Sequence, residues 1–116
     1  MNNANLDKAH LWHPFTPMRD WCAKEHEPLM LTSGEGCYLT DQHGNRYLDG
    51  NASIWTNIHG HNNPRINDAI KAQLDKVAHT SFLGFSNPPA AQLAKELTEL
   101  FPCGTLNKVF LSDNGS

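Results

Sequence analysis

The last eight residues of this 116-residue sequence constrain the fold more than any other part. Val109–Leu111 is a short apolar run typical of a β-strand, and it leads into the small polar turn sequence Asp113-Asn114-Gly115-Ser116. A strand that is buried on both faces belongs inside a sheet of several strands, and no other segment has the pattern of a parallel neighbour. We therefore expect this sequence to be the front part of a larger α/β enzyme.

The turn after Leu111 also has the features of an anion site. A strand that leads through a glycine turn to a helix N-terminus directs free backbone N–H groups and the positive end of the helix dipole to one spot. Gly115 allows the backbone to approach a phosphate closely, and Ser116 adds a hydroxyl donor. An ordinary C-terminal turn is the alternative.

Composition and charge argue against several classes of partner. The formal net charge is -3, which gives no electrostatic reason to bind nucleic acid or an anionic membrane. No apolar run approaches the roughly 20 residues of a membrane span, and the N-terminus lacks the regions of a signal peptide. The three cysteines, Cys22, Cys37 and Cys103, are odd in number and widely spaced, so they do not predict a disulfide framework. We expect a cytoplasmic protein.

A small antiparallel meander is predicted after a polar first segment. Residues 1–27 are rich in turns, and Pro14 and Pro17 predict an extended stretch around them rather than a helix. Glycine- and asparagine-containing turns then separate three strand candidates. These are Leu29–Thr32, Cys37–Thr40 and Arg46–Asp49.

Two amphipathic helices follow the meander. Each begins with an asparagine that caps the helix and a proline at its first position. Asn63-Pro64 starts a helix to about Ala78, and Asn87-Pro88 starts another that ends before Pro102.

Five pieces of the sequence, in this order and at this spacing, resemble the class III pyridoxal-phosphate aminotransferases. They are Trp12-His13-Pro14-Phe15-Thr16, Gly34-Glu35-Gly36, Asp49-Gly50, the segment from Ser53 to His61, and Ser112-Asp113-Asn114-Gly115-Ser116. The likeness runs from about Leu11 to the end of the sequence and covers only the first part of such an enzyme. It implies an α/β fold, namely the N-terminal part of a fold type I PLP-dependent transferase. Residues 1–63 are then the N-terminal segment and small-domain meander, and residues 64–116 begin the large mixed or parallel-sheet domain.

The resemblance also implies a cofactor, substrates and residues that contact them. The cofactor is pyridoxal 5'-phosphate (PLP), with Gly115 and Ser116 on its phosphate. The residues that the resemblance places against the substrate are Trp55, Ile54 and Phe15. The Trp-His-Pro-Phe-Thr start favours the branch of the family that aminates 8-amino-7-oxononanoate in biotin biosynthesis.

Two departures from the family pattern leave the amino donor open. Ile54 stands where some members have a second tryptophan, and Phe15 lacks the hydroxyl of the tyrosine that is often found there. S-adenosylmethionine and lysine both remain candidates. An ω-amino-acid or diamine aminotransferase of the same class is the first alternative function. A small non-catalytic binding or interaction domain is the alternative from another class.

No residue of this sequence is assigned a catalytic role. Pyridoxal chemistry needs a lysine that forms a Schiff base, and in the family this lysine lies beyond position 116. Lys71, Lys76, Lys95 and Lys108 fall on helix faces or at a strand edge. We therefore expect the 116-residue chain alone to be inactive.

Two further patterns in the sequence bear on metal binding and assembly. His59-Gly60-His61 has no third metal ligand at a suitable spacing, so we expect no metal there and either hydrogen bonding within the loop or packing at an interface instead. The resemblance implies a homodimer with active sites at the subunit interface. Phe82, Leu83 and Phe85 around Gly84 form an apolar loop that fits a partner surface, although they can also fold back into their own subunit.

Overall fold

The structure, a computed structural model, describes residues 2–113. The chain forms two compact units, one up to Ile70 and the other from Lys71. The predicted division between residues 1–63 and 64–116 stays a prediction. Within the described residues, no helix is long and apolar enough to cross a membrane.

The first unit begins with two helices that the sequence did not predict. α1 spans Asn3–His10 and α2 spans Met18–Trp21. The side chain of Asn2 caps α1 by accepting the Asn5 N–H at 2.9 Å, and alanine, leucine and lysine within α1 favour helix. The prediction of a turn-rich start was therefore wrong for α1. Between the two helices, where both prolines lie, the chain is not helical, as predicted, but it turns at Pro14 and Phe15 instead of being extended throughout.

The three-stranded antiparallel meander is confirmed. β1 spans Leu31–Glu35, β2 spans Tyr38–Asp41 and β3 spans Arg46–Leu48, in the order β1-β2-β3. β1 lies later than predicted because Glu35 pairs with Tyr38, which leaves a two-residue turn. Gly36, at the first position of that turn, has a φ of +56°, as tight hairpin turns require.

A buried carboxylate closes the loop between β2 and β3. Asp41 is only 3% exposed and accepts the backbone N–H groups of His43 and Asn45 at 2.8 and 2.9 Å. It also accepts the Asn45 amide and the Tyr47 hydroxyl. These donors, led by the Asn45 side chain, hold the pKa of Asp41 far below its ordinary value because they stabilise the charged form.

Both predicted helix starts are confirmed. α3 denotes the short turn Ala52–Trp55, and the longer helices are α4, Pro64–Leu74, and α5, Pro88–Glu99. α4 ends before the predicted Ala78. There the Gln73 side chain donates to the Val77 carbonyl at 2.9 Å, which satisfies a carbonyl beyond the helix end.

Large apolar side chains are not buried anywhere in the described part of the chain. Val109–Leu111 is not a strand in the structure, and Phe110 is 92% exposed. The predicted strand was wrong for this chain because a strand needs hydrogen-bonded neighbours, and residues 2–113 provide none beside it.

The N-cap of α5 gives a direct test of the local structure. Asn87 Oδ1 accepts the Ala90 N–H at 3.1 Å. We expect Asn87→Ala to lower the free energy of unfolding of the protein by about 1 kcal/mol, because the N–H loses its acceptor. Urea unfolding measures this loss. Asn87→Asp keeps the acceptor and serves as the control; an alanine variant as stable as the aspartate variant would contradict the cap.

Candidate functional site

The three candidate substrate residues share an unusual backbone. Phe15, Ile54 and Trp55 have φ angles of 52°, 58° and 64°, in the left-handed region. Their exposed fractions are 109%, 68% and 82%. A left-handed conformation costs a residue other than glycine about 1–2 kcal/mol, and such strain concentrates at functional sites. The other two candidates, Gly115 and Ser116, lie outside the described residues.

Ile54 and Trp55 belong to the same left-handed turn, α3. Its four residues all have φ between 50° and 64°. Backbone hydrogen bonds close it: the Trp55 N–H donates to the Asn51 carbonyl at 2.8 Å, and the Thr56 N–H donates to the Ala52 carbonyl at 3.0 Å. Phe15 lies on a separate segment between α1 and α2.

The carboxylate of Asp49 holds this turn from outside. Its Oδ1 accepts the Ser53 backbone N–H at 2.9 Å, and its Oδ2 accepts the Ser53 hydroxyl at 2.8 Å. The side chain of Asp49 is 7% exposed. The two bonds from Ser53, followed by the contact with His61, hold the pKa of Asp49 below its ordinary value despite the cost of burial.

His61 connects Asp49 to the sheet. Its Nε2 lies 2.8 Å from Asp49 Oδ2, and the Asn57 amide lies against its Nδ1. Since the amide donates to Nδ1, Nε2 carries the hydrogen that is donated to Asp49. The backbone of His61 forms a bridge with Gly36, with N···O distances of 2.7 and 3.1 Å. For His61, the expected hydrogen bonding within the loop is confirmed.

Two glycines allow His61 to lie close to the β1–β2 hairpin. A Cβ on Gly34 would lie 2.8 Å from the Cβ and Cγ of His61. A Cβ on Gly60, whose φ is +80°, would lie 3.0 Å from the Gly36 carbonyl oxygen. The Gly34-Glu35-Gly36 piece is therefore the surface that receives His61. In the sequence, this piece and Asp49 were visible only as parts of a resemblance, and their shared contact with His61 was missed.

A second carboxylate anchors the segment that carries Phe15. Asp7 is 7% exposed and accepts the Trp21 indole N–H at 2.7 Å, while His13 Nε2 lies 3.0 Å from Asp7 Oδ2. The hydrogen bond from Trp21, more than the contact with His13, lowers the pKa of Asp7. The rings of His13 and Trp21 also contact each other at a tilt of 42°, with their centroids 4.3 Å apart. His13 thus fixes the chain two residues before Phe15.

The apolar loop of the second unit is exposed. Phe82, Leu83 and Phe85 are 54%, 88% and 70% exposed, and Gly84 has a φ of +81°. Phe82 also borders a groove of about 200 Å³, whose other lining residues are Val109, Phe110 and Leu111. The loop as an interface stays a prediction, and so does the alternative that it folds back into its own subunit.

All six lysines of the sequence lie within the described residues. Five are exposed, and Lys8 is half-buried. Lys8 Nζ donates to the carbonyls of Ala23, at 2.7 Å, and His26. Lys95 is paired with Glu99 at 2.6 Å, which raises the pKa of Lys95.

Comparison with known proteins identifies the family. Residues 21–116 match the family described as aminotransferase class-III. The chain belongs to the class-III aminotransferases. The predicted fold, an N-terminal part of that architecture, is confirmed by the solved structures that it matches.

Three relatives illustrate the similarity. An adenosylmethionine-8-amino-7-oxononanoate aminotransferase from Nitratidesulfovibrio vulgaris is 52% identical over 97% of this chain and 20% of its own length. The crystal structure of such an enzyme from Methanocaldococcus jannaschii has a TM-score of 0.82 at 43% identity, over 90% of this chain and 23% of that one. An omega transaminase from Pseudomonas jessenii in complex with PMP has a TM-score of 0.79 at 29% identity, over 88% and 22%. This chain thus spans between a fifth and a quarter of these relatives.

The titration of Asp49 tests whether its carboxylate accepts the hydrogen bonds that hold the left-handed turn. The carboxyl pKa is lowered on folding, so its contribution to stability is present above the unfolded pKa and is lost as the pH falls through the folded pKa. We expect the ¹³C carboxyl resonance of Asp49 to titrate below the ordinary 3.8. In Ser53→Ala, which removes one donor, the midpoint should rise toward that value. A wild-type midpoint at or above 3.8 would contradict these hydrogen bonds to Asp49.

Proposed function

We propose that the full-length protein is a PLP-dependent aminotransferase that converts 8-amino-7-oxononanoate to 7,8-diaminononanoate in biotin biosynthesis. The observation that carries this proposal is 52% identity over 97% of the chain to an enzyme named for that acceptor. The 43% identical structure with a TM-score of 0.82 has the same name. The five sequence pieces described above resemble the class as a whole, and the Trp-His-Pro-Phe-Thr start among them favours the biotin branch.

The described residues suit the apolar side of such a substrate. The acceptor is a long aliphatic chain, and Phe15, Ile54 and Trp55 offer exposed apolar surface on rigidly held segments. Burial of apolar surface contributes about 25 cal/mol for each Å² removed from water. Because these side chains carry no charge, they bind and orient the aliphatic part of the acceptor and exclude water from it.

PLP is the cofactor that we propose for the full-length protein. PLP supplies the electron sink that allows an amino group to be transferred. Gly115 and Ser116 are the residues that we propose for its phosphate. In the family that this chain resembles, the lysine that forms the Schiff base falls beyond position 116, so we propose no lysine of this chain as the covalent anchor. We therefore propose that the 116-residue chain alone is inactive.

Assembly and location belong to the same proposal. A homodimer is supported by the exposed Phe82–Phe85 loop, whose large apolar side chains gain by burial against a second copy. A cytoplasmic location is supported by three free cysteines, Cys22, Cys37 and Cys103, all exposed.

An ω-amino-acid or diamine aminotransferase is the second candidate function. The observation that favours it is the TM-score of 0.79 to an omega transaminase. Its lower identity, 29% against 52%, places it second. A non-catalytic binding domain is the candidate from another class, and the coding sequence distinguishes it: a stop codon directly after codon 116 favours it, whereas a distal lysine in several hundred further codons favours the enzyme.

The choice of acceptor and amino donor can be measured directly. We expect the purified full-length protein to form 7,8-diaminononanoate from 8-amino-7-oxononanoate, with either S-adenosylmethionine or lysine as the donor. Mass spectrometry of the product with each donor in turn decides between the two. β-Alanine and a diamine, supplied with pyruvate as acceptor, provide the comparison for the second candidate. No turnover of 8-amino-7-oxononanoate with any donor would rule out the biotin assignment.

The apolar loop gives a test of the dimer. We expect Phe82→Asp to split the full-length dimer and abolish activity, because a buried carboxylate without a partner is strongly unfavourable at an interface. Analytical ultracentrifugation and an activity assay measure the two effects. Phe82→Leu keeps an apolar side chain and should remain dimeric and active. A fully active dimeric Phe82→Asp variant would show that this loop is outside the interface.

A further inference from the structure

We propose that Asp49 and His61 are positioning residues for the acceptor: they hold α3 in its left-handed conformation and thereby set where Ile54 and Trp55 meet the substrate. The identity of the acceptor rests on the proposed function. The structural part of the proposal, that the conformation of the turn depends on this pair, does not.

The turn needs support from outside because its own backbone is unfavourable. Four consecutive residues other than glycine have φ between 50° and 64°. Among them, the β-branched Ile54 is the type that tolerates this region least. A short turn has few backbone hydrogen bonds with which to offset the strain, so a surrounding group must select this conformation.

Asp49 is that group. It accepts both donors of Ser53, the backbone N–H and the hydroxyl, which lie in the middle of the turn. Its own backbone N–H donates to the Cys37 carbonyl at 2.9 Å, so the carboxylate is fixed to the hairpin of β1 and β2. The position of the turn is therefore fixed relative to the sheet as well as to its neighbours in sequence.

His61 fixes the orientation of the carboxylate. Asp49 Oδ2 accepts from both Ser53 Oγ and His61 Nε2, each at 2.8 Å. The imidazole is held in turn by the Asn57 amide and by its backbone bridge to Gly36. Without the imidazole, the carboxylate would keep Ser53 but lose the contact that fixes its plane.

The pair is too buried to act on the substrate itself. The side chains of Asp49 and His61 are 7% and 17% exposed, whereas Trp55 is 82% exposed. Their effect on the reaction must therefore pass through the turn. This separates a positioning role from a catalytic one and predicts that loss of Asp49 and loss of Trp55 affect the same step.

The kinetic test uses the full-length holoenzyme. In Asp49→Asn, an amide N–H₂ replaces one of two oxygens that both accept hydrogen bonds, so we expect kcat/KM for the acceptor to fall about 10- to 100-fold, mainly through KM. Bound PLP, measured by absorbance, should stay at the wild-type level. In a Trp55→Ala background, Asp49→Asn should have a smaller effect than in the wild type, because one of the two side chains that it positions is already gone. Ser53→Ala keeps the carboxylate and should show a smaller effect of the same kind.

Asp41→Asn is the matched control. Asp41 is a buried carboxylate of the same sheet that also accepts backbone N–H groups, but it closes the β2–β3 loop and does not contact the turn. We expect Asp41→Asn to lower stability and to leave the acceptor KM unchanged. Equal effects of Asp41→Asn and Asp49→Asn on KM, or an undiminished effect of Asp49→Asn in the Trp55→Ala background, would overturn the proposal.

A spectroscopic measurement separates this inference from the proposed function. In protein labelled with 5-fluorotryptophan, the ¹⁹F resonance of Trp55, assigned by its loss in Trp55→Phe, should shift in Asp49→Asn and Ser53→Ala but not in Asp41→Asn. An unshifted Trp55 resonance in Asp49→Asn would overturn the positioning role even if the wild type aminates 8-amino-7-oxononanoate. If the wild type does not turn over this acceptor but the resonance shifts as expected, the proposed acceptor is wrong and the structural role stands.

Discussion

The carboxylate of Asp49, almost out of solvent, accepts hydrogen bonds from a turn on one side and an imidazole on the other. Burial of a charge is unfavourable unless it is hydrogen-bonded, and here each oxygen has a donor. The lowered pKa of Asp49 is the sign that these donors outweigh the desolvation. Two of the three candidate substrate residues, Ile54 and Trp55, lie in the turn that this carboxylate contacts.

Two other carboxylates of the first unit are also held out of solvent by several hydrogen bonds. Asp7 anchors the segment before Phe15 through Trp21 and His13, and Asp41 closes the loop between β2 and β3. The pKa of each carboxyl is lowered by its hydrogen bonds. Among residues 2–113, large apolar side chains are all at least partly exposed, whereas Asp7 and Asp41 are buried and fully hydrogen-bonded.

Signals that lie close together in sequence predicted structure well. Asn63-Pro64 and Asn87-Pro88 each supply a cap and a preset φ within two residues, and both helices begin there. The meander followed from its turn residues. α1 was missed because its start depends on a single asparagine cap in a polar stretch, a signal that also favours turns.

Local structure that depends on residues distant in the sequence could not be predicted from the sequence. Nothing in Ala52-Ser53-Ile54-Trp55 indicates a left-handed turn, because the group that selects it, Asp49, is itself oriented by His61 from another loop. The prediction of a strand at Val109 was wrong for a related reason: a strand forms only when a neighbouring strand is hydrogen-bonded to it. The resemblance nonetheless named Phe15, Ile54 and Trp55, and all three have φ angles in the left-handed region. Strain of this kind persists where the position of a side chain matters more than local stability, which is an argument for function that uses no relative's name.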